Sequence, residues 1–462
     1  MCVTAAIGTF GSLLSSCVNA AYEAPKLDAS SRFVAATADE SKASIPTDWW
    51  AAFKDKQLDQ LMQSGLTQNL DVRQAVERIN EAQANVGVAN SGLFPTITTG
   101  GGYGRGDTNG DGTYTKSYPT FATSWMVDLF GGQRASKREA EAKLDAAYLT
   151  ADVARLTMLS AIATAYIDLR YYQSSIVLTK KSIDSRKTSL EMTNDRVKAG
   201  DAAQLQVVQA EQLVAKAEAD LPAFEVGFES AVDRLATLTG QPVATIRPLL
   251  QRSASQPRAR FRVSVGVPAD VLRNRPDVRV AERNLAAAAE GVGVAKAALY
   301  PTLQLSGYVT PTQIMSLGSV QIWDAAASAA LTVFDGGKNQ ANLAAAKSQM
   351  KQARLAWEAS VLNAVEDVEK TLAAYNRDDR NVAAQEKVAS TSEELLQLSQ
   401  NSYGLGADSF IDVLDAERTY LEAEQARAQA IRQQAANYIA LCIAAAGGVQ
   451  QSAEKPKQGS GS

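Results

Sequence analysis

The chain has 462 residues, enough for two or three ordinary domains or one large repetitive one. Lys plus Arg number 46 and Asp plus Glu 50, a net charge of −4, so nothing electrostatic points to nucleic acid as a partner. Histidine is absent, which removes His-based triads, imidazole bases and the usual zinc sites, and the three cysteines, Cys2, Cys17 and Cys442, make no disulfide framework.

Residues 1–16 form a short apolar run rich in small residues that reads as a secretory signal, although they hold no Lys or Arg where a signal has a basic leader. The run ends in Leu14-Ser15-Ser16-Cys17, which resembles a bacterial lipobox, so Cys17 is expected to carry a lipid anchor. The plain alternative is a lone Cys in a disordered arm. Residues 17–47, with the Pro-bearing "VNAAYEAPKLD", are expected to form an extended tether. No unbroken apolar stretch of about 18 residues follows, so a membrane span would have to be made of strands closed into a barrel.

Beyond the tether the chain repeats itself. "VGVANSGLFP" at 86–95 returns as "VGVAKAALYP" at 292–301. Asp71–Arg73 matches Asp277–Arg279, Pro95 matches Pro301 and Gly200 matches Gly406, all at an offset of 206 (277 − 71, 301 − 95, 406 − 200). Repeat arrays have periods of roughly 20–50 residues, so this is a duplicated domain. Repeat 1 spans 48–247, a linker 248–267, repeat 2 268–447, and 448–462 reads as a disordered tail.

Each repeat follows one plan. Asp48–Met62, with Trp49 and Trp50, opens repeat 1 ahead of the duplicated elements and is expected to be a helix packed on the outside. A helix then runs into a Pro-led strand pair, at about 93–130 and 299–335. The prolines stop the helix and push the preceding residue toward extended geometry, which makes Pro95 and Pro301 helix-to-strand junctions. Strands are read from alternation. Phe121, Thr123, Trp125, Val127 and Leu129 share one face; Leu299, Pro301, Leu303, Leu305 and Val309 another; and a last series runs from Trp323 to Val333. Periodicity alone leaves a wet soluble hairpin as plausible as a membrane strand.

A Gly-Gly pair then opens each long helix. Residues 133–199 and 338–403 contain neither Pro nor Gly. At 1.5 Å per residue each would extend roughly 100 Å, and a helix that long needs a partner along its length. The return runs 203–239 and 409–446 supply it, with Pro222 expected to kink the first. Gly200 and Gly406 mark the hairpin tips. Asp201 is the simplest N-cap for one return helix, and Asp408 or Ser409 for the other. Asp412, Asp415 and Arg418 recur every three residues and so lie near one another on a helix surface; Asp415–Arg418 on its own reads as a local surface pair.

Four strands per chain cannot close a barrel, and open edges cannot face lipid. Several chains would have to share one. The segments 48–62, "NLDVRQAVERINEAQA" (69–84), "LFPTI" (93–97), "DLFGG" (128–132) and "RVKAGDAAQLQVVQAE" (196–211) carry a resemblance to a known family, as do "RPDVRVAERNL" (275–285), "LYPTL" (299–303), "FDGG" (334–337) and "SYGLGADSFIDVLDAERTYLEAE" (402–424). Over almost the whole chain, from Cys17 to about Gly448, it resembles the TolC-like outer-membrane factors, in the lipoprotein branch that serves resistance–nodulation–division efflux pumps.

That resemblance implies an α+β membrane protein: a homotrimer with a twelve-stranded β-barrel joined to an α-helical barrel. It implies localisation in the outer membrane of a Gram-negative bacterium, lipid-anchored and extending into the periplasm. The partners would be outer-membrane lipid, a periplasmic adaptor and an inner-membrane pump, with no cofactor and no reaction catalysed. By the same resemblance Ile411 would supply an apolar ring at the periplasmic gate, Asp412 and Asp415 acidic rings, Arg418 closing contacts, and Tyr403 would hold the tips together. The "RVKAG" and "SYGLG" turns, with Gly200, Asp201, Gly404, Gly406 and Asp408, would face the adaptor. A type I protein secretion channel is the alternative within this class. A structural coiled-coil envelope protein is the alternative outside it, and would lack the strand segments. The sequence does not name the exported substrate.

Overall fold

The computed structural model describes residues 22, 24, 33–35, 46–107, 113–259, 268–315, 318–407 and 409–446. The signal-like segment, Cys17, most of the tether, Asp408 and the tail from 448 lie outside them.

In chain order, a 3-10 turn at Trp49–Phe53 leads to α1 (Lys56–Gln68), α2 (Leu70–Ser91), β1 (Thr96–Asp107), β2 (Thr113–Val127), α3 (Gly132–Ala199), α4 (Gln204–Thr239) and α5 (Val243–Leu250). Then come α6 (Pro268–Asn274), α7 (Pro276–Ala297), β3 (Thr302–Ile314), β4 (Gly318–Ala330), α8 (Lys338–Gly404) and α9 (Phe410–Ala444). The duplication is geometric as well as sequential. The starts of α2 and α7, β1 and β3, α3 and α8, and α4 and α9 are each 206 residues apart (276 − 70, 302 − 96, 338 − 132, 410 − 204).

The chain divides into two compact units, and neither is one repeat. The first is built around Val76–Thr150 and Asp277–Val361 and holds all four strands. They form one antiparallel sheet in the order β1-β2-β3-β4. Pairing of β2 with β3 joins the two repeats through Phe121↔Val309, Trp125↔Leu305 and Val127↔Leu303. Directly opposed residues share a face. One face therefore collects Ile97, Phe121, Trp125, Val127, Leu303, Leu305, Val309 and Trp323, while the other collects Thr98, Ser124, Thr302, Gln304, Ser306, Asp324 and Ser328. The last strand stops at Ala330, so the alternating series read to Val333 is cut short; Leu331, Val333 and Phe334 follow it exposed. Asp335 begins the turn into α8 there, which ends the ladder.

Both helix-to-strand exits use the same bonds. The Leu93 and Phe94 amides donate to the Asn90 and Ser91 carbonyls, and Leu299 and Tyr300 donate to Lys296 and Ala297. Pro95 and Pro301 then stand immediately before β1 and β3. The entries to the long helices are matched too. Asp128 accepts from the Gln133 and Arg134 amides at 3.1 and 3.0 Å and pairs with the Arg134 guanidinium at 3.0 Å. Asp335 accepts from the Gly337 and Asn339 amides at 2.9 and 3.0 Å. Gly131 and Gly336 take φ of 77° and 67°, left-handed values open to glycine without strain.

The second unit is built around Asp28–Ala75, Ala151–Pro276 and the chain from Leu362 onward. Its core gathers Trp49, Leu58, Met62, Ile162, Tyr166, Leu235, Tyr438 and Leu441, all essentially buried. Asp48–Met62 is not one helix: Lys54 adopts a left-handed φ of 53°, and Asp55 restarts the chain by accepting from the Gln57 and Leu58 amides. Trp49 is fully buried, with its ring 6.5 Å from that of Tyr438. Within the segment read as a tether, Phe33 is buried in this core, and the Val34 and Ala35 amides donate to the Glu369 carboxylate at 2.6 and 3.0 Å. Pro222 does not interrupt α4, which runs unbroken from Gln204 to Thr239. One proline removes a single backbone bond, to the Glu218 carbonyl, and the buried stripe from Val207 to Leu238 holds the helix on both sides.

Candidate functional site

The second unit carries both hairpin tips. At the first, the Gly200 amide donates to the Val197 carbonyl at 3.0 Å and the Asp201 amide to Arg196 at 2.9 Å, a Schellman closure with Gly200 at φ 85°. Asp201 is therefore spent on ending α3 and is not the N-cap of α4. That position falls to Ala203, which has no side chain to bond with. The closure consumes the residue after Gly200 and two more are needed to reverse the chain, so the cap position moves past the only acid.

The second tip repeats the closure. The Gly406 amide donates to Tyr403 at 3.0 Å and the Ala407 amide to Ser402 at 2.9 Å, with Gly406 at φ 76° and Gly404 the last residue of α8. Here Ser409 is the N-cap. The Asp412 carboxylate accepts from the Ser409 amide at 3.1 Å and its hydroxyl at 2.7 Å, in a capping box. Asp412, expected by resemblance in an acidic ring, is within this chain the brace of its own helix start.

The two tips are clamped together by Tyr403. Its ring lies 5.4 Å from that of Phe410, and the Arg196 guanidinium of the first hairpin sits 4.4 Å above it. Phe410 is buried with Ala210 and Leu414, and Leu190 and Leu213 pack against them. The Tyr403 hydroxyl is buried and has no hydrogen-bond partner among the described residues. Ile411 is half exposed at 52 %. Asp415 and Arg418 pair at 3.2 Å on the surface, one helical turn from Asp412.

Directly beneath lies a residue that the sequence reading passed over. Glu417 is buried in the seam between α9 and α3, 2 % exposed, where Ser185 and Arg186 face it. Burial raises its carboxyl above the ordinary range, with Arg186 opposing the shift. The same burial lowers the pKa of Arg186. A signal was present. Phe410, Val413, Leu414 and Glu417 follow the helical spacing of the buried stripe, so Glu417 falls on the packed face. Asp128 and Asp335, which cap the two long helices after the strands, were passed over too, although Asp followed by a Gly pair is visible at both places.

A family profile described as outer membrane efflux protein matches residues 61–241 and again 267–448, and the chain belongs to that family. That membership sets its class: an export channel that stands in the outer membrane and reaches into the periplasm. Nodulation protein T of Rhizobium leguminosarum bv. viciae is 38% identical over 444 residues, covering 94% of this chain and 92% of its own. The pyoverdine export outer membrane protein OpmQ of Pseudomonas putida is 30% identical over 434 residues, covering 90% and 91%. Among solved structures, the open state of the Neisseria gonorrhoeae MtrE outer membrane channel superposes with a TM-score of 0.84 at 28% identity, covering 94% of this chain and 99% of that one.

Proposed function

We propose that three copies of this chain close a twelve-stranded barrel continued by a helical tunnel, and that the assembly is the outer-membrane duct of a tripartite pump. A single observation carries this. The four-stranded sheet has one apolar face and two unpaired edge strands, β1 and β4. Unpaired backbone groups cannot face hydrocarbon, whereas edge-to-edge pairing of β4 with β1 of the next copy satisfies them. Among the described residues no helix is long and apolar enough to cross a membrane.

The duct catalyses nothing; an inner-membrane pump supplies the energy and a periplasmic adaptor engages the turns around Gly200 and Gly406. Tyr403, Ile411, Asp412, Asp415 and Arg418 form the periplasmic gate, and Cys17 carries the lipid anchor. Acidic rings repeated by a threefold axis repel unless cations or Arg partners lie among them, which suits a bistable gate. The relatives export different things by name, pyoverdine in one case and solvent in another, so the cargo is chosen upstream. Small molecules passed by the pump are the cargo proposed.

The test of assembly is the mass of the detergent-extracted protein, expected to be three times the chain mass. A monomer would refute the shared barrel. The test of cargo class is a deletion strain challenged with drugs, bile salts and solvents. Unchanged susceptibility to all of them would refute small-molecule efflux and leave polypeptide secretion.

A further inference from the structure

Beside the tip clamp, α3, α4 and α9 line an open-mouthed cavity of about 160 Å³ in the second unit. Thr179, Ser182 and Arg186 line its floor, spaced three and four residues apart on one face of α3. All three are more than nine-tenths buried. The Thr179 and Ser182 hydroxyls and the Arg186 Nε have no hydrogen-bond partner among the described residues. Arg186 Nη1 is held by the Leu213 carbonyl at 2.7 Å, so the guanidinium is fixed while its Nε–H stays free.

A buried donor without an acceptor costs about 1–3 kcal/mol, and more when it is charged. Three in one cavity call for an occupant. We infer that the cavity floor binds a small inorganic anion of the halide class, held by the Thr179 and Ser182 hydroxyls and the Arg186 Nε–H. Every unpartnered floor atom can donate, and one carries a permanent positive charge. The rim charges are exposed and balanced, Lys216 and Arg418 against Asp220 and Glu422. Behind Arg186 the acids Glu417 and Asp220 oppose the effect of burial on the guanidinium, and both Glu417 carboxyl oxygens are themselves buried without a hydrogen-bond partner among the described residues. The volume admits a halide with a few waters and no large organic anion. The proposal does not depend on the gate.

The experiment is a crystal of the full chain grown without chloride and soaked in sodium bromide. An anomalous peak within hydrogen-bond reach of Arg186 Nε is expected, and it should vanish in the Thr179→Val/Ser182→Ala double variant, which keeps the Arg. In detergent, melting in sodium chloride should exceed melting in sodium gluconate at equal ionic strength for the wild type, and the gap should close in the variant. A cavity holding only water would overturn the inference. So would a bromide peak, or a chloride-dependent melting gap, that the variant retains, since either would mark an ion bound without these hydroxyls.

Discussion

Replacing Tyr403 separates a ring that clamps the tips from a hydroxyl that does nothing within the chain. Tyr403→Ala removes the ring pair with Phe410 and the cation–π contact with Arg196. An aromatic pair contributes about 0.5–1.5 kcal/mol and an exposed cation–π contact about 0.5–1 kcal/mol. The clamp therefore weakens by about 1–2.5 kcal/mol per chain, a factor of roughly 5–70 in any equilibrium that parts the tips. Tyr403→Phe keeps both contacts and deletes only the buried, unpartnered hydroxyl, whose burial is itself costly, so it should leave the tips closed or tighten them. The assay is single-channel current in planar bilayers, with uptake of a large antibiotic by cells as a second readout. The Ala variant should pass more current and the Phe variant no more than wild type. Equal leakage by both would show that the hydroxyl, bonded to another chain, does the holding. A silent Ala variant would remove Tyr403 from the gate.

Asp412→Asn with Asp415→Asn should change conductance or cation preference in the same bilayers, and unchanged block by multivalent cations would count against an acidic gate. Because Asp412 also completes the capping box, Asp412→Ala should lower the melting temperature through a loss of about 0.5–2 kcal/mol at the start of α9, a cost that Asp415→Ala should not share. Native Glu417 binds its proton more tightly than the unfolded chain, so its contribution to stability is full below its ordinary value of 4.5 and is lost as pH rises through the native value. Glu417→Gln should therefore melt with the wild type in acid and above it at neutral pH; parallel curves would refute the buried charge. Asp128 is the opposite case. Against the burial that would raise it, the Arg134 and Gln133 amides and the Arg134 guanidinium hold its carboxyl below the ordinary range. Its capping contribution is present above pH 3.8 and fades as pH falls through the native value, and Asp128→Ala should erase that acid limb while costing about 0.5–2 kcal/mol at the start of α3.

Much of the architecture was legible because it rests on local chemistry. Glycine closes each hairpin tip since only the left-handed region lets the chain satisfy two helix-end carbonyls at once, and Gly200 and Gly406 were readable for that reason. Pro95 and Pro301 stand next to β1 and β3 because proline cannot continue a helix. Where local rules compete, the reading slipped. Asp201 is placed to cap α4, but its amide closes α3 and the N-cap falls to Ala203; Pro222 is placed to kink α4, and the helix runs on through it from Gln204 to Thr239.

The sequence by itself determined the duplication, the helix and strand segments, the turn positions and the family, because each depends on residue order, periodicity or the conformational limits of Gly and Pro. Only the tertiary structure decided that the two compact units each draw on both repeats, that Tyr403 clamps Arg196 to Phe410, and that Glu417 faces Arg186 beside a cavity of unpartnered donors. These partners lie far apart along the chain, and no periodicity within one helix says which face of another will meet it. That choice is made by how the hairpins pack, where burial turns ordinary charged side chains into groups that need a partner.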